Sequence, residues 1–371
     1  MNLSVFQSPA RYVQGPDASA QLGPELAQVG VDGPVLILAG GTAHRELSGV
    51  WQDSLAKQGL PVRIEAFGGQ CTAEEISRVT AMARDFGAVA VVGAGGGQVL
   101  DTSRAVAADL DIAAINCPTI ASSDAPCSAL SVLYHPDHSF DTYRFYRSNP
   151  KLVLVDSRMV ARAPVRFLSA GLGDAVATWW EARAVRESDS ENQLHGMPTA
   201  TGTALAHLCY QMLLENAQAA LSAVRAQSVT PALERIIEAN TLLSGLGFES
   251  GGLAAAHSIH NGLTTQHETA DSMHGEKVAF GLLAELVLEG RSEQTIREVL
   301  SFSMAAGLPV TLAQVGLADP SAAVIAEIAE RAVAPGETIH HEPVAVTAGS
   351  VADAIRVADE IGRGALTDQR D

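Results

Sequence analysis

The strongest constraint on the fold is a change of residue pattern near residue 160 of this chain of 371 residues. Before that point, short apolar runs alternate with segments whose apolar residues recur at helical spacing. After it, only the helical spacing continues. Strands that alternate with helices indicate a mostly parallel, helix-covered sheet. We therefore predict an α/β domain with a parallel sheet over residues 1–162 and an all-helical domain over residues 163–371.

The predicted elements follow from apolar runs and from residues that begin or end helices. Strands are predicted at 35–39, 62–67, 88–92, 113–117 and 152–155, with helices near 43–58, 72–86 and 100–108. Thr72 and Glu75 have the spacing of a capping box at a helix start. Helices are predicted in the second half at 166–185, 199–223, 230–246, 251–265, 275–289, 293–306, 321–332 and 350–362.

Charge and composition exclude several classes of partner. The formal net charge is −18 and the isoelectric point about 4.9. Such a chain is repelled by phosphate backbones, so neither nucleic acid nor an anionic membrane is an expected partner. No apolar run is long enough to span a bilayer, and the first residues lack a signal-peptide pattern. The four cysteines form no CxxC pair, which favours reduced thiols and a cytoplasmic location.

A glycine-rich segment follows the predicted strand at 88–92 and precedes the next predicted helix. It reads Gly93-Ala94-Gly95-Gly96-Gly97-Gln98, which is neither G-x-G-x-x-G nor a P-loop. Glycines at such a position let backbone N–H groups approach a pyrophosphate, and a helix N-terminus favours its charge. A tight strand-to-helix turn is the alternative, but four glycines in five residues exceed what a turn needs. We predict nucleotide binding by Gly95, Gly96, Gly97 and Gln98.

A polar loop from Pro118 to Asp124 follows the next predicted strand. In an open α/β sheet, a loop at the carboxyl end of a strand lines the ligand crevice. Its hydroxyl groups can bond phosphate or ribose, and Asp124 can bind a hydroxyl of a polyol. Alternatively, the loop only satisfies its own backbone through Asx or Ser/Thr turns.

Asp174, His257 and His274 are candidate metal ligands. One carboxylate and two imidazoles are a common ligand set for a catalytic zinc with one open position. Each residue also has a simpler interpretation. Asp174 can cap the helical run at 175–180, His257 and His260 can satisfy buried polar contacts, and His274 can begin a helix outside the core.

Motifs shared with one family occur along nearly the whole chain, and on them the chain resembles the glycerol dehydrogenases of the metal-dependent (iron-type) alcohol dehydrogenase superfamily. The motifs are Gln7-Ser8-Pro9, Tyr12-Val13-Gln14-Gly15, Gly95-Gly96-Gly97 with Leu100-Asp101-Thr102, Pro118 to Pro126, Ser128 to Val132, Ala163 to Arg166, Gly173-Asp174-Ala175, His257 with His260 to Thr264, His274 to Gly281, and Gly336 to His340.

The resemblance implies an active site in a cleft between a nucleotide-binding domain and a helical domain. It implies a metal bound by Asp174, His257 and His274, and a glycerol contact from Asp124. Iron-dependent members carry a fourth ligand, a histidine, one turn after the aspartate; Thr178 stands there, which favours one zinc per subunit. Family members are often octamers, so a homo-oligomer is expected. The implied cofactor contacts are Gly97, Asp101, Thr119, Ser122, Ser128, Leu130 and Tyr134.

Two departures from the family pattern concern the nucleotide. The glycine loop of glycerol dehydrogenases usually continues with lysine, where this chain has Gln98. The family usually places an aspartate at the end of the first strand to hold the adenosine ribose, where this chain reads Ala39-Gly40-Gly41-Thr42. Loss of that carboxylate removes repulsion against a 2′-phosphate, and Arg45 can pair with one. We expect NAD as the cofactor and hypothesise that NADP is accepted.

The function expected from residues and resemblance is zinc-dependent, nicotinamide-linked, reversible oxidation of a small vicinal diol, such as glycerol to dihydroxyacetone. His260 and Asp124 are candidates for moving a proton or orienting the substrate. One alternative is an NADPH-dependent reductase of another polyol, a cyclitol or a 2-oxo acid. Another is a sugar-phosphate cyclase, a lyase of the dehydroquinate synthase type, but residues 124–134 lack the basic side chains that it needs. A non-catalytic binding protein is the third.

Overall fold

The structure, a computed structural model, describes residues 3–136 and 140–368. Packing divides the chain into two compact units. The sheet unit contains Gln7–Leu168 and Ser222–Gly245, where the structure describes them. The helical unit contains Ser169–Leu221, the described part of Leu246–Asp371 and the N-terminal residues up to Phe6. The prediction from sequence places a single cut between residues 162 and 163, whereas both packed units are discontinuous.

The sheet unit is built on six parallel strands, as the alternating pattern predicts. Their order across the sheet is β1-β8-β5-β4-β2-β3. A separate antiparallel hairpin pairs β6 with β7. The strands are β1 (Tyr12–Gly15), β2 (Val35–Ala39), β3 (Val62–Ala66), β4 (Ala90–Gly95), β5 (Ala113–Pro118), β6 (Leu130–Tyr134), β7 (Phe140–Phe145) and β8 (Leu152–Asp156).

Helices cover both faces of the sheet, and the central strands are therefore apolar on both sides. Along β2, Val35, Ile37 and Ala39 pack into one hydrophobic cluster, and Leu36 and Leu38 pack into another. This burial on two faces explains why the strand is a continuous apolar run and does not alternate. The helices up to β8 and directly after it are α1 (Leu22–Gln28), α2 (Gly41–Ala56), α3 (Ala73–Phe86), α4 (Gly97–Leu110) and α5 (Ser157–Arg162).

The strand order reverses between β2 and β4. The chain leaves β2 through α2 toward β3 at the sheet edge, then returns through α3 to β4 on the other side of β2. Ala39 pairs with Ala94 in register, so the ends of both strands lie at the same edge. In open α/β sheets, ligands bind outside the carboxyl ends of the strands at such a switch point.

Only helices follow α5 in the described residues, which confirms the predicted fold class. A π-helical segment, Ala239–Leu243, joins two of them within the predicted helix 230–246. Among the described residues, no helix combines the length and the apolar character that crossing a bilayer requires. The helices are α6 (Val165–Glu187), α7 (Ala200–Arg225), α8 (Pro231–Glu238), α9 (Ser244–Gly251), α10 (Ala255–Leu263), α11 (His274–Leu288), α12 (Glu293–Ala306), α13 (Ala322–Ala332) and α14 (Ala348–Asp368).

Several local predictions differ from the structure. The predicted strand at 88–92 is β4, which begins two residues later and continues through Gly95, so that two of the glycines belong to the sheet. The short strand β1 and the hairpin β6–β7 were not predicted. Thr72 does cap α3, because its hydroxyl accepts from the N–H of Glu75 at 3.2 Å. The capping box is wrong, because the Glu75 carboxylate accepts instead from Gly68 N–H at 2.8 Å.

Candidate functional site

Asp174 lies in the middle of α6, and its side chain is fully buried. The helix begins at Val165, so the interpretation of Asp174 as a helix cap is wrong. A carboxylate removed from water requires compensating partners. The partners here are two histidine rings from other helices of the same unit.

The three predicted metal ligands converge. Asp174 Oδ1 lies 3.0 Å from His274 Nε2 and 3.5 Å from His257 Nε2. One ligand atom from each of the three residues lies within 4.8 Å of the other two. Asp174 is buried, His257 is partly buried and His274 is exposed. The cluster therefore has a closed side and a side that a small molecule can reach.

Glycines explain why α6 and α11 approach closely enough to form the cluster. A Cβ atom on Gly275 would lie 1.8 Å from the carbonyl oxygen of Ala170, and one on Gly173 would lie 2.3 Å from the carbonyl oxygen of Gly275. Only glycine permits such backbone contact. Each glycine adjoins a candidate ligand, Asp174 or His274, so the contact that packs the helices also places the ligands.

Glu181 orients His257. Its Oε2 atom lies 2.6 Å from His257 Nδ1, while its Oε1 atom accepts from the N–H groups of Ala254 and His257 at 2.9 and 3.1 Å. Nδ1 therefore donates to a carboxylate, and Nε2 is the ring nitrogen that faces Asp174. Metal-binding histidines commonly use this arrangement. Sequence reasoning missed Glu181, although it lies two turns after Asp174 and so on the same face of α6.

His260 packs against His274. His260 Nε2 lies 2.9 Å from His274 Nδ1, and His260 Nδ1 lies 3.0 Å from Asn261 Oδ1. His260 is buried. It therefore contacts His274, a candidate metal ligand, through Nδ1, while Nε2 of His274 is the nitrogen near Asp174. His257 and His260 both lie on α10, as their spacing predicts.

The charges of the cluster influence one another strongly. Burial alone would raise the pKa of Asp174, but the rings of His274 and His257 hold it well below its usual value. Burial alone would lower the pKa of His257, but the carboxylates of Glu181 and Asp174 raise it well above its usual value. Burial, reinforced by His274 and Lys277, lowers the pKa of His260. Asp174 is therefore an anionic donor, and His260 is neutral near pH 7.

The donor set fits a divalent cation of zinc type. A carboxylate oxygen and two imidazole nitrogens, one ring being held by a second carboxylate, are ligands that zinc prefers. Thr178 stands one turn after Asp174, and it is fully buried. Its methyl group packs against Gly247, where an added Cβ would lie 2.7 Å from Thr178 Cγ2. No nitrogen donor is present at the position where a fourth ligand is expected in iron-dependent members.

A cavity of about 290 Å³ opens in the sheet unit at the switch point between β2 and β4. Of the ten predicted cofactor residues, Gly95, Gly96 and Thr119 line it; the other seven do not. Gly96 caps α4, whose N-terminal N–H groups favour bound phosphate. The lining residues are Gly40, Gly41, Thr42, Ala43, Glu46, Gly95, Gly96, Thr119, Ile120, Met159, Arg162, Ala163, Pro164 and Phe167.

Two glycines of the predicted loop have structural reasons to be glycine. Gly93 lies in β4, where a Cβ would stand 2.1 Å from Ser103 Oγ of α4. Gly95 has a φ of +152°, and a Cβ there would stand 2.6 Å from Val99 Cγ1. Gly93 and Gly95 therefore allow α4 to pack closely on the sheet, while Gly96 lines the cavity.

Gln98 binds the protein itself. Its Oε1 accepts from the backbone N–H of Cys71 at 3.2 Å, and Thr102 Oγ1 donates to its carbonyl oxygen at 2.9 Å. A lysine cannot accept the bond from Cys71. The glutamine therefore ties the start of α4 to the loop before α3.

Asp101 and Ser128 belong to a buried network around Arg104, which sequence reasoning missed. Arg104 pairs with the Asp101 carboxylate and donates to the Ser128 carbonyl oxygen at 3.1 Å. Ser131 Oγ donates to the Asp101 carbonyl oxygen at 2.9 Å. Asp101, Arg104, Ser128 and Ser131 are all buried, whereas Ser122, Leu130 and Tyr134 are partly buried. The network braces β6 against α4.

Asp124 is buried in the sheet unit and is held by a residue from the inserted segment 222–245. Its Oδ2 accepts from Ser244 Oγ at 3.0 Å. Asn240, in the π-helical segment, donates to the carbonyl oxygen of Ala121 at 3.1 Å. Such segments are frequent at functional sites. Ser244 and Asn240 were not predicted, since nothing in a helical pattern reveals which loop it will contact.

Comparison with known proteins places this geometry in a family. The model for iron-containing alcohol dehydrogenases matches residues 9–157. The glycerol dehydrogenase of Pseudomonas putida is 49% identical over 96% of this chain and 98% of its own length. The chain belongs to the iron-containing alcohol dehydrogenase family. It is an alcohol oxidoreductase, and its resemblance to glycerol dehydrogenases is confirmed.

Further relatives of this alcohol dehydrogenase agree. The glycolaldehyde reductase of Halobacterium salinarum is 47% identical over 97% of this chain and 98% of its own. The crystal structure of glycerol dehydrogenase from Schizosaccharomyces pombe superposes with a TM-score of 0.95 at 35% identity, covering 98% of this chain and 92% of that one. Family membership favours dehydrogenase chemistry over the cyclase alternative.

Proposed function

We propose that this chain catalyses the NAD-linked, metal-dependent, reversible oxidation of a small vicinal diol, with glycerol and dihydroxyacetone as the first pair to test. The observation that carries the proposal is the convergence of Asp174, His257 and His274 around one point. The glycerol dehydrogenases among its relatives support the choice of substrate class.

Asp174, His257 and His274 are the proposed ligands of one zinc ion. When bound, such an ion polarises the substrate hydroxyl and lowers its pKa. Glu181 fixes the orientation of His257, and the exposed side of the cluster, at His274, admits the substrate. A diol with two neighbouring oxygens matches a small cation better than a single hydroxyl does.

Gly95, Gly96 and Thr119 are the proposed contacts of the pyrophosphate of NAD, because they line the cavity at the start of α4. Gly97, Gln98, Asp101, Ser122, Ser128, Leu130 and Tyr134 are the remaining proposed cofactor residues. Asp124 is proposed to bind a substrate hydroxyl, and its orientation is supported by Ser244. His260 is proposed to move a proton or to orient the substrate.

A chelation assay tests the metal and the substrate together. Absorbance at 340 nm is followed with NAD and glycerol, with 1,2-propanediol, and with 1,3-propanediol as the control that lacks neighbouring hydroxyls. We expect the two vicinal diols to be oxidised and the 1,3-isomer to be oxidised poorly. Activity should vanish after exhaustive chelation and return with zinc. Full activity of the chelated, metal-free protein would contradict the proposal.

NADP is proposed as a second accepted cofactor. Arg45 is largely exposed near the start of α2, with its Nη2 atom 3.4 Å from Thr42 Oγ1. Arg162 also lines the cavity. Glu46 lines the same cavity and opposes a 2′-phosphate, which favours NAD as the first cofactor. Comparison of kcat/KM for the two cofactors in wild type and Glu46→Gln tests this: the variant should gain with NADP, and absent turnover with NADP in both would overturn it.

A further inference from the structure

A line of hydrogen bonds leads from Nδ1 of His274 to an ion pair that includes Arg331, near the end of α13. It runs from His274 Nδ1 to His260 Nε2 at 2.9 Å, and from His260 Nδ1 to Asn261 Oδ1 at 3.0 Å. Asn261 Nδ2 then donates to Glu337 Oε2 at 2.9 Å. Glu337 is paired with Arg331 through its other oxygen. We call His274, His260, Asn261 and Glu337 the tautomer relay.

The charged end of the tautomer relay sets the direction of every bond in it. Glu337, paired with Arg331, is a carboxylate and can only accept. Asn261 must therefore turn its NH₂ group to Glu337 and its carbonyl oxygen to His260. His260 must then carry its proton on Nδ1, which leaves Nε2 as an acceptor.

The same logic fixes His274. Because His260 Nε2 accepts, His274 Nδ1 carries a proton and donates it to that bond. Nε2 of His274 then keeps a lone pair, and this is the atom that lies 3.0 Å from Asp174 Oδ1. Only a nitrogen with a lone pair can bind a metal ion. The opposite tautomer would point an N–H at the site.

We propose that Asn261 and Glu337 are positioning residues that set the metal-binding tautomer of His274. The inference rests on the proposed function, since it takes Asp174, His257 and His274 to be metal ligands. His274 is exposed, but two later members of the relay are shielded from water, because His260 is buried and the Glu337 side chain is only 10% exposed. Glu181 holds Nδ1 of His257 through one direct hydrogen bond, whereas Nδ1 of His274 is held through this longer line.

The rival explanation is that Asn261 and Glu337 only brace α10. A structural brace contributes to folding stability, whereas a tautomer relay contributes to metal affinity. Glu337→Gln separates the two, because its amide is nearly isosteric and can still bond Asn261. It can also donate, so every bond in the line can reverse, and His274 can then present Nε2–H to the metal.

The experiment measures zinc affinity of the metal-free protein by competition with a chromogenic chelator, and thermal unfolding of the same samples. The variants are Glu337→Gln, Asn261→Leu and Glu337→Asp, which keeps an ionised acceptor. The control is Glu298→Gln, whose carboxylate accepts from Tyr210 at 2.6 Å in the same unit. Loss of an outer hydrogen-bond partner typically weakens metal binding by about 10–100-fold.

We expect at least a tenfold weaker affinity for Glu337→Gln and Asn261→Leu, as is usual for such outer partners. The Glu298→Gln control should bind zinc as tightly as wild type, and Glu337→Asp should recover part of the affinity. Metal-free wild type and Glu337→Gln should have similar melting temperatures. Zinc affinity of both relay variants equal to wild type would overturn the relay while leaving the proposed function intact. Failure of wild type itself to bind zinc would overturn both. If Asn261→Leu does not fold, Glu337→Gln decides.

Discussion

At the scale of single residues, His274 allows the cleanest test of the metal site. His274→Ala removes one of three proposed ligands, and we expect loss of bound zinc together with most turnover. Because the His274 side chain is 42% exposed, its truncation leaves no buried cavity and the fold should remain. Metal analysis, assay at 340 nm and circular dichroism check this outcome. The control is His340→Ala, an exposed histidine of the same unit; equal zinc content in the two variants would contradict the assignment.

Single residues also mark how far the sequence could predict the site. Asp174, His257 and His274 were predicted by residue type and resemblance, and the structure brings them together. Glu181 was not, because a glutamate in a helix is usually solvated and its role depends on a ring that is 76 residues away. The cap interpretation of Asp174 failed because α6 begins at Val165, nine residues before Asp174.

At the scale of elements, the contact between α6 and α11 predicts the cost of adding one methyl group. In Gly275→Ala the new Cβ would lie 1.8 Å from the Ala170 carbonyl oxygen, so the helices must separate. Overpacking of this kind costs about 1–3 kcal/mol. We expect a lower free energy of unfolding by at least that amount and weaker zinc binding, since His274 moves with α11. Urea unfolding and metal titration measure both effects.

Gly364→Ala is the matched control for that substitution. Gly364 is exposed within α14, and nothing lies within 4 Å of an added Cβ. Alanine is favoured over glycine inside a helix by up to about 1 kcal/mol, so this variant should be slightly more stable than wild type. If both variants changed stability in the same direction, close packing at Gly275 would not be the cause.

Element boundaries show what a one-dimensional pattern omits. The apolar run at 88–92 marks a strand, but pairing extends β4 into Gly93 and Gly95, because their neighbours on β5 continue to Pro118. The strand β1 was missed because it has only four residues. All four are partly buried, and their sequence, Tyr-Val-Gln-Gly, is not an apolar run. Pairing partners, which decide both cases, are distant in sequence.

At the scale of the whole molecule, the sequence pattern could not predict that segment 222–245 belongs to the sheet unit. Gln14 of β1 donates to the carbonyl oxygen of Glu234 at 2.8 Å, and Ser157 donates to its carboxylate at 2.6 Å. These bonds cross more than 70 residues of chain. A helical period reports which face of α8 is apolar, but it does not report which unit that face will contact.

The molecule is strongly acidic, and several of its glutamates are buried. From these buried glutamates we predict how stability depends on pH. Buried Glu181, Glu285 and Glu342 accept from backbone N–H groups at the start of α10. Burial and the nearby Glu289 raise the pKa of Glu342 from 4.5 to about 9. Burial and Glu342 also raise the pKa of Glu285 well above its usual value. The folded protein thus retains protons here that the unfolded chain releases.

The sign follows from the raised pKa of Glu342. Its contribution to stability is fully present below pH 4.5 and is lost as the pH rises toward about 9. One retained proton corresponds to about 1.4 kcal/mol per pH unit within this range. Glu342→Gln imitates the protonated form and can still accept from Ala255 N–H. Between about pH 5.5 and pH 8.5, inside the window set by the raised pKa, the free energy of unfolding of this variant should therefore fall less steeply than that of wild type.

Urea unfolding of wild type and Glu342→Gln at several pH values measures the two slopes. Glu330→Gln serves as the control, because Glu330 is an exposed glutamate on α13 and its substitution should leave the slope as it is. The variant gains relative stability at alkaline pH because it no longer releases a proton on unfolding. Parallel curves for wild type and Glu342→Gln would mean that Glu342 is ionised in the folded protein, and that the charge of this interior is balanced by Arg183 and Arg291 through their pairing with Glu289.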